Sequence, residues 1–527
     1  MPPSFYPLPG ELTLSRRSFL AGSASFVLAT MLAGRVRGAV TSAPPLAGYP
    51  FTLGIASGDP APDGMVLWTR LAPRPRENGG GMPAVPVEVG WLVSEDEAMT
   101  RVVRQGAAIA SPDWGHSVHV EVAGLLPDRW YWYQFKCGGE VSPRGRTRTM
   151  PAAGAAAERL RFAFASCQKY EMGHYTAYEH MAREDLDLVV HLGDYIYEKG
   201  DDKQAVRPHG TPELFTLDDY RNRYALYKTD PALQAAHAMA PWIVTWDDHE
   251  VNNNYAGVTP ENPERQDAAA FLRRRAAGYQ AYYENMPLRR GAQPSGPDML
   301  LHRRLEFGAL ASFHVLDTRQ YRTDQPQGDG MKPPGPALLD PAGTMMGPRQ
   351  REWLFDGLER SAASWNILAQ QVMMGRADRE AGPGESYAMD KWTGYEFERR
   401  RVLRHFRDRR ITNPVVITGD IHQNWANELA PDFDRPDAPN VGVEFVGTSI
   451  SSAGDGVDRP DYLASLLAEN PSVKYHNSER GYVRCEVTPQ AMRADYRTVP
   501  YITRPGAPLN TRASFVVETG RPQLQRV

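Results

Sequence analysis

Leu188–Glu198 reads LVVHLGDYIYE, a short apolar run that passes straight into Gly193-Asp194 and, three residues on, Tyr197. A parallel strand buried on both faces requires such an unbroken Leu/Val run, and the polar residues stand where the strand would end. The same pattern recurs in VVITGDIHQ (Val415–Gln423), in FAFASCQ (Phe162–Gln168), and in the run Trp242–Thr245 followed by WDDHEVNNN (Trp246–Asn254). Ligands in open α/β sheets collect at the carboxyl ends of strands. Cys167, Asp194, Tyr197, Asp248, Asp420 and His422 are therefore expected to converge on one site.

Each of these residues has a plainer reading. A lone Gly-Asp after a strand is more often a turn, but Gly193-Asp194 is matched by Gly419-Asp420-Ile421-His422 after a second such strand. A carboxylate at a strand end can bridge two cations, and Tyr197 can reach the same ion as a phenolate. Asp248 is the ligand candidate of its segment, and His249 is placed to stabilise or protonate a leaving oxygen. Asp247 and Glu250 read as helix-cap or hydrogen-bonding residues, and Asn252, Asn253 and Asn254 as loop residues. Alone, Cys167 would be a small core residue and His422 a surface or core histidine; their company raises both. The aspartate oxygens suit Ca²⁺ or Mg²⁺, the scarcity of His and Cys argues against zinc, and phenolate with thiolate suits a trivalent iron.

At 527 residues the chain exceeds what one hydrophobic core serves, so at least two domains are expected. A net charge of −4 gives no sign of a nucleic-acid partner. Arg273–Arg275 and Arg399–Arg401 read as solvated helix faces. Ser15-Arg16-Arg17-Ser18-Phe19-Leu20 opens the apolar stretch Phe19–Gly34, which resembles a twin-arginine export signal occupying residues 1–43, with cleavage near Ala39 or Ala43. The stretch is short for a membrane span and no other is long and apolar enough. The expectation is thus a mature protein without a membrane span, periplasmic or secreted, with the twin-arginine machinery as export partner. Three cysteines, Cys137, Cys167 and Cys485, are too few for a disulfide framework; Cys137 and Cys485 either pair or stay as buried thiols.

Residues 44–150 read as an all-β domain, with Met65–Leu71, Val85–Val93, Ser117–Val122 and Trp130–Lys136 as strands. Gly124-Leu125-Leu126-Pro127 before Trp130–Phe135 resembles the turn and aromatic strand of a fibronectin type III sandwich. After the linker Pro151–Glu158, residues 151–527 alternate strands with helices, expected at Gly173–Glu184, Leu217–Ala240, Gln266–Asn285, Arg349–Ser361 and Glu396–Arg407. This predicts a layered α/β domain. Asp324–Gly347, rich in Pro, Gly and Asp, is a long insertion expected to border the active site.

GIASGDP (Gly54–Pro60), LWTR (Leu67–Arg70), the four site segments, DKWTGY (Asp390–Tyr395) and EFVGTSISSAG (Glu444–Gly454) together resemble the PhoD-type alkaline phosphatase and phosphodiesterase family. The resemblance implies an α/β fold, a calcineurin-like four-layer αββα metallophosphatase core preceded by an all-β, fibronectin type III-like sandwich. It implies an Fe³⁺ held by Cys167, Asp194, Tyr197 and His422, and two Ca²⁺ held through Asp194, Asp248 and Asp420. His249, Asp248 and His422 would be the catalytic residues. Cys167 and Asp248 stand where common two-metal phosphoesterases carry Asp-x-His and Asn-His-Glu. The implied reaction is hydrolysis of phosphate monoesters, and of diesters, by attack of a metal-bound hydroxide on phosphorus. The alternatives are a phospholipase D-like phosphodiesterase acting on lipid headgroups and a non-catalytic exported binding protein.

Overall fold

Two sheets stacked face to face organise the chain. The computed structural model describes residues 46–527 except 201, 202, 204 and 436; the export-signal segment lies outside the described residues. The larger sheet runs, edge to edge, through Arg521–Arg526, Asn510–Glu518, Ala491–Val499, Arg480–Val487, Leu160–Ala165, Leu188–Leu192, Trp242–Thr245, Ile55–Ala61, Gly64–Arg70 and Ser117–Val122. The smaller runs through Arg303–Phe307, Ala311–Val315, Trp365–Ala369, Pro414–Thr418, Gly442–Val446, Asn424–Leu429 and Val473–Asn477.

The strands that lead to the site segments are mutually parallel within each sheet. Leu160–Ala165, Leu188–Leu192 and Trp242–Thr245 are neighbours in one, and Ala311–Val315, Trp365–Ala369, Pro414–Thr418 and Gly442–Val446 in the other. Alternation of side chains assigns each residue to a layer. Phe162, Phe164, Leu188, Val190, Leu192 and Ile243 point inward and meet Phe313, Ile367, Val415, Ile417 and Phe445 of the opposite sheet. Ala163, Ala165, Val189 and Val244 point outward, into a second core with helix residues such as Tyr178, Leu233, Phe271 and Tyr279. On the far side Leu368 and Val416 pack against Leu354, Leu358, Val402 and Phe406 of the helices Gly347–Arg360 and Glu396–Asp408. The result is the expected αββα arrangement. Full burial of each large apolar side chain contributes about 1.5–3 kcal/mol, which is why the four runs contain almost nothing polar.

The N-terminal all-β stretch does not stand apart, and Pro45–Val527 form one compact unit. Five of its strands, Val87–Ser94, Val102–Ala110, Trp130–Cys137, Glu140–Val141 and Gly145–Arg148, make their own sheet. Three others extend the large core sheet, Ile55–Ala61 lying parallel to Trp242–Thr245 with Gly58 opposite Trp242. A Cβ at Gly58 would fall 2.6 Å from the Pro287 carbonyl oxygen and 2.7 Å from that of Trp242, so only glycine permits the junction. Trp68 and Arg70 complete it, donating to the Glu284 carbonyl at 2.9 Å and the Asn285 side chain at 3.3 Å.

Several local expectations are corrected. Leu217–Ala240 is two helices, Leu217–Lys228 and Pro231–Met239. Asp230 caps the second by accepting from the Ala232 and Leu233 amides at 2.9 and 3.2 Å, and Pro231 fits only a first helical turn. Gly173–Glu184 is helical only over Thr176–Met181, because the His174 amide is drawn to the Ile502 carbonyl at 2.8 Å. The arginine triplets are solvated only in part, with Arg273 and Arg401 exposed and Arg400 half-buried. Arg274, Arg275 and Arg399 are buried, with partners in the Tyr220 hydroxyl, the Gly257 carbonyl and Glu396, respectively. All three cysteines are buried free thiols, so Cys137 and Cys485 do not pair. Among the described residues no helix is long and apolar enough to cross a membrane.

Candidate metal centre and active site

The strand ends meet because glycines let them. A Cβ on Gly193 would lie 2.4 Å from the Asp247 amide nitrogen, and one on Gly419 would lie 2.4 Å from Ser166 Oγ. The residues that follow leave extended geometry abruptly. Cys167, Asp194, Asp420 and His422 all adopt left-handed backbone, with φ of 59°, 55°, 64° and 57°. Each such residue costs about 1 kcal/mol or more, and four in one place mark a site whose geometry is held by its surroundings. The Cys167 amide donates to the Gly193 carbonyl at 3.0 Å, and the Gln168 amide to that of Asp194 at 3.1 Å.

Two donor groups share one carboxylate. The ligand atoms of Cys167, Asp194 and His422 lie within 4.8 Å of one another, and so do those of Asp194, Asp248 and His249. Tyr197 belongs with the first group, its hydroxyl 2.8 Å from Asp194 Oδ2 and 3.1 Å from His422 Nε2. Asp420 stands next to the second. Its carboxylate is paired with Lys391 and lies 3.7 Å from Arg319, which is itself 4.0 Å from Asp248. The insertion borders the cluster as expected: Asn254 donates to Asp329 at 2.7 Å and Gln325 to Asp390 at 2.8 Å.

The electrostatics fit cations. Asp194 Oδ1 and Asp248 Oδ1 are buried without a hydrogen-bond partner. Burial pushes the Asp194 carboxyl well above the usual carboxylate range, and Asp248 adds to this while His249 opposes it. The Cys167 thiol and the Tyr197 phenol are likewise pushed up, by burial and then by Asp194. Burial and the Arg480 charge bring His422 down to about 3, leaving its imidazole neutral and able to ligate. Asp248 is held below its ordinary value despite burial, by His249 and Arg319. A thiol, a phenol and a carboxyl that burial keeps from ionising are groups that a bound metal ion deprotonates.

Asp247 and Glu250 are the hydrogen-bonding residues their positions suggested. Glu250 accepts from the Tyr195 and Asp247 amides at 2.6 and 3.0 Å, and Asp247 accepts from Arg319 at 2.5 Å. Three contributors escaped the reading of the sequence. Glu198, fully buried, binds His249 Nδ1 at 2.6 Å and the Asn253 amide at 2.8 Å. Arg319, also fully buried, grips Asp390 with two hydrogen bonds of 2.9 Å. Lys391 completes the charge network around Asp420. Arg319 follows the apolar run Leu310–Leu316, so the strand-end logic would have found it.

Glu198 leaves Nε2 as the ring nitrogen of His249 available to a substrate. Glu198→Gln is expected to lower kcat by about ten- to a hundredfold, the usual cost of losing a residue that orients a catalytic or ligating histidine, with metal content unchanged. Steady-state kinetics alongside elemental analysis checks this; a loss of metal in step with activity would count against it.

Comparisons with known proteins point the same way as the geometry. A family model described as PhoD-like phosphatase matches residues 162–496, and one described as the N-terminal domain of PhoD-like phosphatases matches residues 38–151. Alkaline phosphatase D of Bacillus subtilis (strain 168) is 51% identical over 525 residues, covering 98% of this chain and 89% of that protein. A solved structure of PhoD superposes with a TM-score of 0.90 at 52% identity, covering 92% of this chain and 93% of that one.

Proposed function

The chain belongs to the PhoD-like phosphatase family, and from that premise we propose that it acts at the cluster of Cys167, Asp194, Tyr197, Asp248, Asp420 and His422. It is an alkaline phosphatase, a phosphoric ester hydrolase. The observation that carries the site assignment is the sharing of Asp194 between two groups of donor atoms. Iron at Cys167, Asp194, Tyr197 and His422, and two calcium ions through Asp194, Asp248 and Asp420, agree with the chemistry of each donor set. Bound there, the cations would supply Lewis acidity toward phosphoryl oxygens and lower the pKa of a coordinated water.

The protein's own groups do the rest. His249, oriented by Glu198, stands where it can pass a proton to a departing alkoxide. Arg319 fixes Asp247 and Asp390 and keeps positive charge beside Asp248 and Asp420. Lys391, bonded to Asp420, adds a cation that an incoming phosphate dianion would meet. No serine or threonine nucleophile is needed. The division into residues 44–150 and 151–527 is proposed as two regions of one compact unit, supported by the separate N-terminal family match over residues 38–151 and by the change in pattern at the linker Pro151–Glu158. Residues 1–43 are proposed to direct export by the twin-arginine route to the periplasm or beyond; replacing Arg16 and Arg17 by lysine should block it.

Purified full-length protein is expected to hydrolyse 4-nitrophenyl phosphate and, in addition, its bis-aryl diester. Treatment with a calcium chelator should remove nearly all of that activity, and added Ca²⁺ should restore it. Hydrolysis of the diester alone would favour the phosphodiesterase alternative. Metal-bound protein that hydrolyses neither ester would favour the binding-protein alternative.

A further inference from the structure

The segment Glu444–Gly454 has no part in the chemistry so far, yet its second half wraps the cluster from behind. The Ile450 amide donates to the Ser166 carbonyl at 3.0 Å, and the Ser451 and Ser452 amides to that of Cys167 at 3.3 and 3.2 Å. Ser452 Oγ lies 2.7 Å from the Cys167 carbonyl oxygen and 2.7 Å from the Tyr197 hydroxyl. The loop is pinned by Arg480, which is 3% exposed. Its guanidinium donates to Ser449 Oγ at 2.7 Å, to the Ser452 carbonyl at 2.6 Å and to the Ser478 carbonyl. These partners are all neutral, so a buried cation stands behind a thiol and a phenol with its charge directed at the loop.

We propose that Ser452, fixed by Arg480, is a positioning residue that donates its hydroxyl hydrogen bond to the Tyr197 phenolate and so tunes how that tyrosine binds a trivalent cation. The inference rests on the iron reading given above. A phenolate has no proton and can only accept; a carboxylate and an imidazole nitrogen that bind a cation have none to give. Of the three groups within hydrogen-bond reach of Tyr197 Oη, namely Asp194, His422 and Ser452, only Ser452 can then donate, and its single proton is free to turn there because the Cys167 carbonyl already accepts from the Ser451 and Ser452 amides. Partners of this kind orient metal ligands and adjust their basicity.

The test uses full-length protein purified with iron, the visible tyrosinate-to-iron absorption band and the variants Ser452→Ala and Ser449→Ala. Ser452→Ala should keep its iron and shift the band to longer wavelength, because a phenolate that loses a hydrogen bond holds its electrons less tightly. Ser449→Ala removes a loop hydroxyl that touches Arg480 but not Tyr197, and should leave the band in place. An unmoved band in iron-loaded Ser452→Ala, or equal shifts in both variants, overturns the inference alone. Iron-loaded wild-type protein without such a band overturns it together with the reading of Tyr197 as an iron ligand.

Discussion

Asp194→Asn is expected to cut kcat/KM for an aryl phosphate by well over about a hundredfold while the protein remains folded. Loss of an outer partner of a metal ligand alone costs about 10–100-fold, and Asp194 is the one side chain common to both donor groups. Asparagine preserves the shape of the side chain, but it carries no charge to bridge cations. The stability effect should have the opposite sign. Burial disfavours the ionised form of Asp194, so a neutral isostere should leave the thermal midpoint of the metal-free protein unchanged or raise it. Activity within tenfold of wild type would remove Asp194 from the centre of the account.

Arg319→Met is expected to have the largest effect on folding. Arg319 is fully buried, bonded to Asp247 and Asp390 and within 4.0 Å of Asp248 and 3.7 Å of Asp420. Removing one partner of a buried ion pair costs about 3–5 kcal/mol, because the remaining charge is left uncompensated. Here several carboxylates share the arginine, so the loss should lie at the upper end. Arg319→Lys should recover little of it, since an ammonium cannot make the paired bonds at 2.9 Å that the planar guanidinium makes to Asp390. Chemical denaturation of the metal-free variants measures the difference; a midpoint equal to wild type would show that the network is not what holds these strand ends together.

The sequence revealed the strands more readily than the supports of the site. Phe162–Ala165, Leu188–Leu192 and Val415–Thr418 are apolar on both faces because the core lies on both sides of each sheet, and that requirement is local enough to read. The Gly-Asp pairs were legible for the same reason: Gly193 and Gly419 permit close approach, and the aspartate follows. Glu198 was hidden because its partner, His249, lies far away in the chain; Arg319 stood where a strand ends, and only its pairing with the distant Asp390 was beyond local reading. Arg274, Arg275 and Arg399 show the same limit in reverse. Their spacing suits a solvated helix, yet Tyr220, the Gly257 carbonyl and Glu396 satisfy them inside the fold. The extension of the core sheet by Ile55–Ala61 also depends on one distant pairing, Gly58 with Trp242, which no periodicity encodes.

Elemental analysis of wild-type protein and Cys167→Ala, each purified as the full chain, bears most directly on the claim that these strand ends build a metal centre. Iron and calcium are expected in the wild type, and loss of iron with retention of calcium in the variant. Iron bound equally by both proteins, or absent from an active wild type, would contradict that claim.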